Sequence, residues 1–151
     1  MLPCPVEPDL RQVSGALRLF RLESRWSIDL GDCVLTVEAG YVTDKASVPR
    51  LLWAGIDPDD LSDAAALAHD VLYSSCGAPA LPVAKCAPAL AFTRAECDEL
   101  LRDLALAAGA PPWRARAAWI GVRLGGWLPW KSYRVTSASI RLASSGIRSS
   151  P

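Results

Sequence analysis

The sequence has no net charge, no CxxC pair, no apolar run that could span a bilayer, and a single histidine in 151 residues. Each scarcity narrows the functions open to it. Sixteen Lys and Arg balance sixteen Asp and Glu, which argues against nucleic acid as a partner, because a phosphate-binding surface leaves a basic excess. The five cysteines, Cys4, Cys33, Cys76, Cys86 and Cys97, never fall at the short spacing of a zinc site. Reduced thiols are therefore expected, with a Cys76–Cys86 bridge as the alternative. Pro3, Pro5 and Pro8 break up an N-terminus without an apolar run, so no signal peptide is expected, and synthesis in the cytoplasm follows.

What is present is enough to build one domain with its own core, since 51% of residues are hydrophobic. Residues 1–15 read as an irregular lead-in, 16–131 as a single α+β domain and 132–151 as a Ser/Arg-rich tail. Strand patterns cover Leu17–Leu22, Trp26–Leu30 and Cys33–Val37, with Gly31-Asp32 as a two-residue hairpin turn. Gly40–Thr43 is a further extended stretch, and Ser47 and Pro49 can open a short helix over SVPRLLW. Asp60 or Ser62 caps a helix reaching about Ser75, which Gly77 stops. Residues 77–92 read as a loop. Thr93 and Glu96 form a capping box for a helix to about Ala108, and Pro111-Pro112 open the last one, Trp113–Leu124. The expected fold is a small antiparallel N-terminal sheet followed by three packed helices.

The histidine lies in AAALAHDVLY, a helix that is small or greasy on nearly every face. His69 and Tyr73 are four apart and share a face, while Asp70 is turned about 100° away. A buried imidazole needs a partner. On the following helix Asp98 shares the core side with Leu101 and Ala105, so Asp98 accepting from His69 is the economical pairing. An Asp-oriented imidazole is the arrangement of a general base. Asp44, at the end of a strand, can join Asp70 as an oxygen ligand for a divalent cation, Ca²⁺ or Mg²⁺, or else pair with Arg50 or Lys45. Cys76 and Cys97 lie near enough in sequence to be weighed as nucleophiles.

From Trp113 onward there are basic residues but no acidic one. The helical spacing of Trp113 and Trp119 reads as core. Trp127 and Trp130, set among helix breakers beside Lys131, also read as core, with docking onto another protein or a membrane surface as the alternative.

The order GYVTDKASVPRLLW, AAALAHDVLY, RAECDELL and WRARAAWIGVRLGGW resembles the domain-of-unknown-function 1353 family, small proteins common in phages and prophages. The resemblance runs from about Cys33 to Trp130. It marks Asp44, Ala46, Ser47, Pro49, Arg50, His69, Asp70, Tyr73 and Asp98, with Ser47, Arg50 and Tyr73 as supporting residues. It implies a phage or prophage setting without a settled activity. His69-Asp70-x-x-Tyr73 is also similar to the helix signature of phospholipases A2. That likeness implies His69 as base, Asp70 as a Ca²⁺ ligand and Asp98 as the orienter of His69. The resulting expectation is a phage or prophage accessory protein with a metal-assisted hydrolase site acting on an ester or amide of the cell envelope. The alternative is a non-catalytic virion component, a tail, neck or baseplate protein, partnered by other virion proteins.

Overall fold

The structure, a computed structural model, describes residues 2–15, 19–43 and 62–133. Its strands are β1 (Leu10–Gln12), β2 (Phe20–Leu22), β3 (Trp26–Asp29), β4 (Val34–Val37), β5 (Val42–Thr43) and β6 (Ala84–Ala87). Its helices are α1 (Asp63–Ser74), α2 (Arg94–Ala107), α3 (Pro112–Gly125) and α4 (127–133). The fold is α+β, as expected. The strands form two antiparallel sheets of three, ordered β1-β2-β5 and β3-β4-β6, rather than one. The helix expected over SVPRLLW lies outside the described residues.

The second sheet supplies most of the strand contribution to the core. Its side chains alternate with period two, so Trp26 and Ile28 of β3 and Leu35 and Val37 of β4 face inward. In register, Trp26 lies opposite Val37 and Ile28 opposite Leu35, so large apolar groups meet directly across the strands. Ser27 and Thr36 pair on the outer face, their hydroxyls 2.9 Å apart. The Leu30 amide donates to the Cys33 carbonyl across the Gly31-Asp32 turn, at 2.9 Å.

Two segments read as irregular are ordered parts of the architecture. Residues 77–92 contain β6, which pairs with β4 and places Ala84 and Cys86 in the core. Its proline content masked a four-residue strand at a sheet edge, where fewer amides need ladder partners. Within 1–15, β1 pairs with β2, and Glu7 reaches α1. One Glu7 carboxylate oxygen accepts from the Ser62 hydroxyl at 2.6 Å and the other from the Ala64 amide at 2.9 Å. An anion there satisfies an orphan donor and sits at the positive end of the helix dipole.

Local signals account for the helix ends. Ser62 caps α1 by accepting from the Ala65 amide, and Thr93 and Glu96 form the reciprocal capping box of α2. Alanine-rich faces let the helices approach closely, and α2 packs against both α1 and α3. The buried side of α3 is small, made of Ala115, Ala118, Gly121 and Val122. Trp113 instead stands in solvent, contrary to the core reading, and Trp119 is half-buried. The close helix approach leaves no room for an indole on the inner face.

Candidate functional site

The three packed helices meet at Asp98, a carboxylate with no exposed surface. Its Oδ1 accepts from the Tyr73 hydroxyl and lies 3.4 Å from His69 Nε2. Its Oδ2 accepts from Arg123 Nη1 of α3 at 3.2 Å and from Arg94 Nη1, one turn back on α2, at 3.4 Å. Four groups thus occupy the acceptor sites of one carboxylate. Arg94 also donates to the Val122 and Arg123 carbonyls, at 3.4 and 3.3 Å, and so clamps α2 to the end of α3.

His69 and Tyr73 share a face of α1 as the four-residue spacing requires, with ring centroids 4.1 Å apart. His69 is 1% exposed. Its Nδ1 is buried and has no hydrogen-bond partner among the described residues. The ring is held through one nitrogen while the other carries no protein bond. Tyr73 in turn meets Trp130 edge-on at 5.1 Å. Gly126 makes this packing possible, since a Cβ there would run into the Tyr73 hydroxyl and the Val122 carbonyl.

Burial by itself would raise the Asp98 carboxyl. The hydrogen bonds from His69, Tyr73 and Arg123 outweigh it, so the carboxyl titrates below its ordinary value of 3.8. Burial, and then the bond to Asp98, push the Tyr73 phenol up, so it remains a donor. A carboxyl depressed on folding contributes stability that is fully present above its unfolded value and is lost as pH falls through the folded one. The stability gap between the parent chain and Asp98→Asn should accordingly narrow on acidification below 3.8. Thermal unfolding followed by circular dichroism at several pH values measures this, and a gap constant with pH would refute it.

Asp70, turned away from His69, is partly exposed in an open cleft of about 710 Å³. Its Oδ2 accepts from the Tyr41 hydroxyl at 3.2 Å, and that hydroxyl lies 3.2 Å from Ser74 Oγ. Val71, Tyr133 and the turn over 78–84 complete the walls. Burial and the Asp70 charge raise the Tyr41 phenol, which holds it as a donor toward the carboxylate. Asp44, Ser47 and Arg50 lie outside the described residues, so the Asp70–Asp44 pairing is not on view. Among the described residues no group of three or more His, Cys, Asp or Glu is placed to hold a metal.

The structure thus brings together His69, Tyr73 and Asp98, and sets Asp70 on a separate, solvent-facing cleft. Arg94 is legible in retrospect, four residues before Asp98 on one helix. Arg123 has no local signal, because only the crossing of α2 and α3 brings it there. All five thiols are free, so the Cys76–Cys86 bridge is not formed. The Cys97 thiol is pushed up to about 12 by burial and then by the neighbouring Asp98 and Glu96 charges, which leaves it protonated and unreactive. Of the two docking candidates, Trp127 is exposed while Trp130 is half-buried against Tyr73.

These features define an α+β protein whose helices are tied by a buried, carboxylate-centred polar network beside an open cleft. The chain belongs to the family described as protein of unknown function (DUF1353), whose model matches residues 20–122. No curated protein and no solved structure matches it. Among the described residues, no helix is long and apolar enough to cross a membrane.

Proposed function

We propose that this chain is a phage- or prophage-encoded accessory protein with a hydrolytic site centred on His69. The observation that carries the reading is the His69 ring itself: Asp98 engages Nε2, and Nδ1 has no partner among the described residues. A buried polar atom without a partner costs about 1–3 kcal/mol. Packing does not require that cost, whereas a base or ligand site does. In this reading Asp98 accepts the hydrogen bond from Nε2–H and fixes the tautomer. Nδ1 then takes a proton from the attacking water as the water's oxygen adds to an ester or amide carbonyl, and returns it to the leaving alcohol or amine as the adduct's C–O or C–N bond breaks. Asp70, on its separate cleft, would hold a divalent cation, Ca²⁺ or Mg²⁺, together with Asp44. The resemblance to phage and prophage proteins supports a cell-envelope substrate, lipid or peptidoglycan.

One histidine makes the test direct. The ¹⁵N spectrum of the imidazole should show protonated Nε2 and unprotonated Nδ1, and release of product from phosphatidylglycerol or peptidoglycan should vanish in His69→Gln. A proton resident on Nδ1, or equal release by the variant, would remove the base. Calorimetric titration with Ca²⁺ and Mg²⁺ should show saturable binding that Asp70→Asn abolishes. Absence of binding by the parent chain would take the cation out of the mechanism.

A second reading, a non-catalytic virion component, is favoured by the burial of His69 and Asp98 together with the exposed tryptophans. There the network only ties helices. A fixed copy number in purified particles, with infectivity undiminished by His69→Ala, would select it.

A further inference from the structure

The outer face of α3 and α4 exposes more apolar surface than the fold uses. Leu124 is 71% exposed, Leu128 60%, Trp113 59% and Trp127 48%, and Ile120 joins them. The two helices follow nearly one path, because Gly126 is in the right-handed helical region and its carbonyl accepts from the Trp130 amide at 3.1 Å. At about 100° per residue these five side chains fall in one stripe, opposite the buried Ala115, Ala118 and Val122. The stripe runs about 22 Å.

The charged residues of α3 and α4 themselves are all basic. Arg116 and Lys131 are exposed beside it, and no acidic residue follows Asp103 in the sequence. At one end the Arg114 guanidinium lies over the Trp113 ring at 5.1 Å, and at the other Lys131 Nζ lies over Trp127 at 5.0 Å. Tryptophan–cation pairs at both ends, with Ile and Leu between them, match the layering of a bilayer surface. Indoles and cations sit at headgroup depth, and the aliphatic side chains reach the acyl boundary. A rim of one charge sign favours an anionic surface.

We propose that this stripe binds an anionic lipid surface, with α3 and α4 lying in the interfacial plane. The inference goes beyond the hydrolase reading and does not depend on it. The test uses the full chain with vesicles of phosphatidylglycerol in phosphatidylcholine, read by co-sedimentation and tryptophan emission. Binding to these vesicles is expected, weaker by at least about tenfold on pure phosphatidylcholine and in Leu124→Ser/Trp127→Ser. Both substituted residues are exposed, so the variant should unfold at the parent's temperature. Arg116→Glu/Lys131→Glu, which leaves the apolar stripe whole, should weaken binding by at least about tenfold as well. His69→Gln should bind as the parent does, which separates this surface from the proposed base. Failure of the parent to bind anionic vesicles, or unchanged binding by the two double variants, would overturn the proposal. So would self-association of the chain that the serine variant abolishes with no vesicle binding, since the stripe would then be a contact between copies.

Discussion

Replacing Asp98 with alanine is expected to remove about 3 kcal/mol of stability, the lower end of the loss for breaking a buried ion pair. The four partners of the carboxylate do not contribute alike. Arg94 and Arg123 keep 24% and 36% of their side-chain surface exposed, so water can replace the carboxylate at both guanidiniums. His69 and Tyr73 are buried and cannot recover in that way. Each is left with an unsatisfied polar atom, at about 1–3 kcal/mol apiece. A domain of this size has about 5–15 kcal/mol in total, so the variant should be populated as folded protein only under mild conditions. Denaturant unfolding measures the loss, with Tyr73→Phe as a companion that removes one hydroxyl and should cost less than Asp98→Ala. A loss under about 1 kcal/mol in Asp98→Ala would mean that the network is no more than a set of surface-like pairs.

A comparable loss should follow Gly77→Ala, at a position that makes no bond to Asp98. Gly77 ends α1 at φ +77°, where its amide donates to the Leu72 carbonyl at 2.7 Å and its own carbonyl accepts from Phe92 at 2.8 Å. Two separate costs fall on an added methyl group. The left-handed backbone costs an L-residue about 1–2 kcal/mol. The methyl carbon would also collide with the Phe92 carbonyl, which is backbone and cannot move aside without disturbing the bond that the Phe92 amide donates to the Gly77 carbonyl. Overpacking of this kind adds about 1–3 kcal/mol. Gly109→Ala separates the two effects, because Gly109 has φ +93° and nothing within 4 Å of its added carbon. Its variant should show the backbone cost alone. Equal midpoints for the two variants in denaturant unfolding would refute the collision. Gly77 also leads into the turn over 78–84 that walls the cleft beside Asp70, so cation binding is worth measuring on the same protein.

Several parts of this molecule could be read from short-range rules alone. Ser62 and the Thr93–Glu96 box begin their helices because an orphan amide needs an acceptor within three residues. Gly31-Asp32 turns the β3–β4 hairpin for an equally local reason. The facing of His69 and Tyr73 on α1 follows from helical periodicity, as does the inward lean of Asp98 on α2. A buried imidazole's need for a partner then suffices to pair His69 with Asp98.

Other features depend on which distant segments meet. β6 is a strand because β4 offers it an edge, although the prolines that flank it and its short length read as loop. Glu7 caps a helix that begins 56 residues later in the chain, and Arg123 reaches Asp98 only because α3 crosses α2 where it does. Trp113 is exposed since the alanines and glycine of α3 claim the inner face, while Trp130 turns inward against Tyr73 across the gap that Gly126 leaves open. Caps, turns and face assignments are decided within one or two helical turns, where the sequence itself carries all the partners. The filling of the Asp98 carboxylate, the placement of Asp70 on a separate cleft and the exposure of the tryptophan stripe are decided by packing between segments far apart in the chain. No local pattern encodes those contacts.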